Sequence, residues 1–276
     1  MEMTVRREQD TPALVVPSPV VRLFPRVANP HTSGSVVPTA KSTIFDEDWW
    51  LSAATDGKIE RAEVRWDNAV VGSLNYYPIT RMRMRKIVLP PYTRILTPRL
   101  APPGDKAVTV QANSTRIIRE LLEQIGRFDL YATTFPLNNE LIHSFQLNGA
   151  TATVKGSFLS PAGDTVESVL AGMNQKTRNI IRQASNRIGI EVHTDIDRLI
   201  RVSSLHHGKN DRNRYDILHK LWVEIASRNR GRIMSAVDPW SRDIAACVVI
   251  WDARKAYYWL SARRDDDLGR KANPVL

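Results

Sequence analysis

The chain has 276 residues, 42% hydrophobic and 25% charged, which is enough to bury a sizeable core and of a length that favours two domains. Its 39 basic against 29 acidic residues leave a net charge of +10, which attracts anionic partners without choosing among nucleic acid, anionic membrane and phosphorylated small molecules. No apolar run is long enough to span a bilayer, and neither a P-loop, a zinc-ligand spacing nor a signal-peptide pattern is present.

Residues 1–40 carry six prolines and little periodicity, so most of this stretch is expected to be an arm or irregular lead-in. Structure is expected to begin near Phe45, where DEDWWLSAAT suggests a short helix with an acidic first turn. Glu60 to Trp66 alternates and reaches Asp67-Asn68, a turn candidate; Ala69 to Ile79 can return as its partner strand, with Gly72 as a bulge or close-packing point. Arg81, Arg83 and Arg85 alternate with Met82 and Met84, which reads as one extended element with a basic side. The proline-rich stretch from Pro90 to Gly104 is loop-like, and its Tyr92, Arg94 and Arg99 suit an anion-binding or substrate loop. Asn113 to Phe128 reads as a helix buried through Ile117, Ile118, Leu121, Leu122 and Ile125, followed by strands at Leu130 to Phe135 and Ala150 to Phe158.

Asp164 to Val192 reads as one amphipathic helix. Val169, Leu170, Met173, Thr177, Ile180, Ile181, Ala184 and Ile188 form its apolar face, Asp164 with Glu167 a capping box, and Gly189 its stop. Arg178 and Arg182 fall one turn apart on the opposite side. Two such guanidiniums can clamp a carboxylate or phosphate, and they equally suit a plain solvated face. A short strand at Ile190 to His193, a helix at Tyr215 to Asn229 and three strands at Arg232–Val237, Ile244–Trp251 and Ala256–Ala262 complete the pattern. This order is α+β, with an antiparallel meander in place of a βαβ repeat. The one cysteine, Cys247, lies in the apolar run IAACVVIW and is expected to be buried; that cysteine usage suits a reducing, cytoplasmic setting.

Four stretches, in order, carry a family resemblance: FDEDWWLSAA; VVGSLNYYPI with the LPPYTRILTP loop; MNQKTRNIIRQASNRIGIEV; and AACVVIWDARKAYYWLSA followed by RKANPVL. Together, over residues 42–276, they resemble the tandem-domain branch of the GNAT superfamily, with its FemABX-like aminoacyl/acyltransferases and cellulose-biosynthesis-type acetyltransferases. The resemblance implies an α+β fold of two tandem GNAT-like domains, with mixed, mainly antiparallel sheets flanked by helices. The expected boundaries are an arm at 1–40, a first domain at 41–162 and a second at 163–276. In such folds the final meander is followed by a further helix and strands, so the second domain is expected to be C-terminally short. A second copy or another chain would then cover that edge, making a homodimer one expected partner state.

The resemblance also implies transfer of an activated acyl group to an amine, which needs no protein nucleophile. No tightly bound cofactor or metal is expected; acyl-CoA or aminoacyl-tRNA would be the donor substrate, and an anionic small molecule or carrier-linked compound the substrate partner. Tyr258 would donate to the leaving group or pack in the core, and His206 would be a base or a solvated loop residue. Tyr92, Arg178 and Arg182 would bind substrate. Gly269, Arg270, Lys271 and Ala272, at the start of a helix, would surround the donor pyrophosphate, with Asp265, Asp266 and Asp267 opposing it. A GNAT-fold binding protein without catalysis is the chief alternative, and nucleic-acid binding the third; duplex recognition and a membrane span are not expected.

Overall fold

The computed structural model describes the backbone of residues 2–5 and residues 43–160, 163, 165–205 and 214–272. In chain order the elements are β1 (Glu2–Val5), a 3-10 turn (Ile44–Asp46), α1 (Asp48–Thr55), β2 (Glu60–Trp66), β3 (Ala69–Arg81), β4 (Met84–Val88) and β5 (Arg99–Leu100). Then come α2 (Ala107–Ile125), β6 (Leu130–Thr134), α3 (Asn139–Leu147), β7 (Ala150–Thr153), α4 (Val166–Gly172), α5 (Gln175–Ser185) and β8 (Gly189–His193). The last are α6 (Ile196–Ser204), α7 (Tyr215–Ser227), β9 (Gly231–Val237), β10 (Asp243–Trp251), β11 (Ala256–Arg263) and α8 (Asp267–Ala272).

The chain forms two compact units that exchange segments several times. The first contains residues 2–5, 60–88 and 96–154; the second contains residues 43–59, 89–95 and the described residues from 155 onward. Helix α1 and the loop around Tyr92 therefore belong to the second unit.

The first unit is built on one mixed sheet ordered β2-β3-β4-β6-β1-β7, with β5 paired to β3. Only β4 and β6 run parallel among these pairs. The Asp67–Asn68 turn has φ of 47° and 67°, the left-handed pair that a two-residue hairpin requires. Val64 faces Gly72 while Arg65 faces Val70, so Val71 is an extra residue in β3. Gly72 is also a close-packing point: a Cβ there would lie 2.2 Å from Ile117 Cγ2 of α2. Helix α2 buries Ile117, Ile118, Leu121, Leu122 and Ile125 in a core with Leu74, Ile87, Tyr131, Phe135 and Phe145.

Two expectations change in this unit. Residues 2–5 are a sheet strand between β6 and β7 and not part of an arm, because their backbone fills both ladders; the rest of 1–40 lies outside the described residues. The arginine-methionine stretch is no single extended element. Met82 and Arg83, with φ of 52° and 62°, form a two-residue turn that folds β3 onto β4.

The second unit holds the antiparallel sheet β11-β10-β9-β8. Helix α6 packs on β9, β10 and β11, α8 on β10 and β11, and α7 on α1. The single helix expected over 164–192 is two helices and a strand. Asn174 ends the first segment and accepts from the Thr177 amide at 2.8 Å, capping α5; Thr165, in place of Asp164, caps α4 by accepting from the Ser168 amide. Gly189 opens β8 and does not stop a helix. The expected apolar face is realised in part: Ala184 and Ile188 are buried, Leu170, Met173, Thr177, Ile180 and Ile181 are half-buried, and Val169 is exposed. The meander, by contrast, forms where the sequence places it, and the Asp252 carboxylate shapes its last turn by accepting from the amides of Arg254 and Lys255. Cys247 is fully buried, and burial pushes its thiol up to about 11.

Candidate functional site

In the second unit the loop Pro90-Pro91-Tyr92-Thr93 makes a type II turn, closed by the Thr93 amide donating to Pro90 O at 3.1 Å. Proline suits its second position; the third favours glycine, yet Tyr92 occupies it with φ of 61°. A left-handed non-glycine residue stores about 1 kcal/mol or more and persists only where its surroundings hold it. Here the holding groups come from α1 and β11. Trp50 Nε1 donates to Thr93 Oγ1 at 3.0 Å, and Trp259 Nε1 donates to the Tyr92 carbonyl at 2.9 Å. Arg94 Nη2 donates back to the Trp259 carbonyl. That carbonyl sits at a bulge in β11, since Val248 faces Leu260 while Val249 faces Tyr258, leaving Trp259 without a partner in the register.

The rings beneath form a continuous floor. Tyr92 meets Trp259 edge-on at 6.0 Å, Trp259 meets Trp50 at 5.1 Å, Trp50 meets Phe45 at 5.0 Å, and Phe45 meets Tyr257 at 5.2 Å. Burial pushes the Tyr92 phenol up to about 12; Tyr215 and the Asp216 carboxylate add to the rise and the Arg214 guanidinium offsets part of it. The phenol therefore stays protonated at neutral pH, with Arg214, Tyr215 and Asp216 at the start of α7 among the groups that influence it. Tyr257 is raised as well, by burial and by donating to Asp252 Oδ2 at 2.9 Å.

Tyr258, between two buried-floor residues, is 55% exposed, as alternation along β11 requires. It is no core tyrosine, and it does not share the Tyr92 floor. Arg178 and Arg182 are not brought to Tyr92 by any contact. Arg178 Nη1 donates to the carbonyls of Ala171 and Met173, closing the C-terminal end of α4, while Arg182 is exposed. Gly269, Arg270, Lys271 and Ala272 form most of α8. Asp266 Oδ1 accepts from the Gly269 amide at 2.7 Å, Lys271 pairs with Asp267 at 2.7 Å, and Arg270 approaches Asp265 to 3.7 Å. A Cβ on Gly269 would lie 2.3 Å from the Arg264 carbonyl, so its glycine is required by packing, and Ala272 is buried. His206 lies outside the described residues.

Sequence reasoning passed over Trp50, Thr93 and Trp259, and it read Arg94 as an anion-binding cation of the loop, where the guanidinium donates to a backbone carbonyl. One signal was available for the loop: a tyrosine after Pro-Pro, where a type II turn asks for glycine. Among the described residues no group of His, Cys, Asp and Glu is arranged to hold a metal, and no helix is long and apolar enough to cross a membrane.

Two mixed or antiparallel sheets, each flanked by helices, fit a GNAT-like fold repeated twice. A crystal structure of FemX matches over 86% of this chain and 79% of that one, with a TM-score of 0.50 and 10% sequence identity. At that identity the likeness establishes the fold. No protein-family model matches the sequence, and no curated protein matches it.

Proposed function

We propose that this chain is an N-acyltransferase or aminoacyltransferase of the FemAB-like type. An amine nitrogen attacks the carbonyl carbon of an activated acyl group, a C–N bond forms, and the thioester C–S or ester C–O bond breaks. The amine proton ends on the departing thiol or alcohol. Tyr92 carries the reading: a protonated phenol carried on a left-handed turn that Trp50, Trp259 and Arg94 hold over an aromatic floor is suited to donate to the carbonyl oxygen as it gains charge. The fold shared with FemX supports the reaction class without fixing donor or acceptor. The donor would be acyl-CoA or aminoacyl-tRNA, and the acceptor an amine on an anionic or carrier-linked compound. His206 would take the amine proton, and Tyr258, Arg178 and Arg182 are further candidates for leaving-group and substrate contacts. We further propose a cytoplasmic setting and a dimer.

The test is transfer from acetyl-CoA and from charged tRNA to a panel of amines, comparing the parent chain with Tyr92→Phe. A drop in kcat of roughly tenfold to a thousandfold, with the fold intact, supports the donor role; transfer unchanged in Tyr92→Phe removes it.

One observation favours the second reading, a GNAT-fold binding protein without turnover. Asp266 occupies an amide of the α8 first turn, and Arg270 and Lys271 are already engaged by Asp265 and Asp267. A donor pyrophosphate in that place would have to displace these carboxylates. Binding of CoA without transfer to any amine is the result this reading expects.

A further inference from the structure

The β3–β4 hairpin ends in five consecutive exposed residues, Thr80-Arg81-Met82-Arg83-Met84. A two-residue turn of this kind is usually made by Asn-Gly, residues that tolerate the positive φ it requires. Here Met82 and Arg83 adopt its left-handed angles, and Met82 is left 79% exposed at the outermost point. Arg81 pairs with Met84 across the ladder, so the tip alternates cation and thioether on both strands. Arg81 and Arg83 have no carboxylate partner among the described residues. The α2–β6 loop is tied to the base of this tip, because Arg85 Nη1 donates to the Arg127 carbonyl at 3.0 Å, and Arg127 itself is exposed. The one acidic group in that loop, Asp129, is engaged by the Arg85 amide at 2.7 Å.

We propose that this hairpin tip docks the protein on an anionic lipid surface, with Met82 entering the headgroup–acyl boundary and Arg81 and Arg83 pairing with lipid phosphates. Charge complementarity draws the tip to the leaflet, and a net charge of +10 adds to that attraction. The apolar component selects a bilayer over nucleic acid. Single-stranded nucleic acid is held by stacking on aromatic rings, and no aromatic residue occurs from Thr80 to Val88. Methionine is flexible and apolar, and it gains by leaving water for lipid. The proposal is independent of the acyltransferase reading.

The experiment is co-sedimentation of the full chain with phosphatidylcholine vesicles containing about one-third phosphatidylglycerol, against pure phosphatidylcholine, at rising salt. The parent chain is expected to pellet with the anionic vesicles alone. Each arginine near such a surface contributes about fivefold, so Arg81→Gln with Arg83→Gln should weaken partitioning by about 25-fold. Met82→Ser should weaken it by about tenfold and leave the salt dependence in place. All three positions are exposed, and matched circular dichroism melts confirm that the variants fold. Absence of parent binding, or binding that neither variant alters, would overturn the proposal. So would failure on vesicles together with Arg81- and Arg83-dependent retention of single-stranded RNA, which would make the tip a nucleic-acid contact.

Discussion

The indole of Trp259 donates to the backbone carbonyl of Tyr92 at 2.9 Å, joining the last strand of the meander to a left-handed turn far upstream in sequence. Trp259→Phe keeps a ring in the floor and removes that donor. A loss of about 1 kcal/mol in urea unfolding is expected from the hydrogen bond, together with a fall in kcat as Tyr92 loosens. Unchanged stability would show that the loop is held by Trp50 and Arg94 without this bond.

Gly72 is bound to α2 by space and not by its backbone angles. Gly72→Ala should cost about 1–3 kcal/mol by forcing Ile117 aside. Adding Ile117→Ala should recover part of that cost relative to the sum of the single changes, a coupling that a double-mutant cycle reads directly.

Arg198 links α6 to the sheet: Nε donates to Asp243 Oδ1 at 2.9 Å and Nη1 to Glu191 Oε2 at 2.6 Å. The side chains of Arg198 and Asp243 are only 18% and 14% exposed. Asp243→Asn should destabilise the chain by about 2–4 kcal/mol, less than a fully buried pair would lose, measured by chemical denaturation.

His193 gives a pH dependence of stability. Its Nδ1 accepts from the Asp195 amide at 3.1 Å, so the neutral ring carries its proton on Nε2 and donates to Ser235 Oγ at 2.8 Å. Burial, then Arg198, lowers its pKa below the ordinary value, while Asp195, Asp243 and Glu191 pull the other way. The folded state thus binds fewer protons than the unfolded chain. This stabilisation is complete above about pH 6.5 and declines as pH falls toward the lower folded value. Urea midpoints at two pH values should differ more in the parent than in His193→Gln; equal differences would assign the slope elsewhere.

Arg178→Ala should fray α4, since its guanidinium closes the helix at Ala171 and Met173. Faster amide exchange across Val166–Gly172 with an unchanged midpoint is the expected result. Loss of substrate affinity without that local change would favour a direct role in binding.

Much of the second sheet was legible because β9, β10 and β11 are local, alternating and separated by turn residues. The helix over 164–192 was misread because apolar steps of three and four continue through Met173–Asn174, and periodicity does not register a break that preserves phase. Asn174 was the missed signal, as a good cap in mid-pattern. Helix α6 was readable in principle from Asp195, Ile196, Leu199 and Val202. The Tyr92 floor was not readable, since Trp50, Tyr92 and Trp259 meet only through long-range folding. Arg178 was visible as a cation, but whether it meets a ligand or two carbonyls depends on a helix end the pattern concealed.

The exchange of segments between units also sets a timetable for synthesis. Trp50 and Tyr92 leave the ribosome long before Trp259, the residue whose ring and indole they require. The aromatic floor therefore closes after translation has passed β11, and until then the rings of Phe45, Trp50 and Tyr92 wait in an incomplete chain. Folding of the second unit should be slow for its size, and a nascent chain stalled before β11 should depend on chaperones.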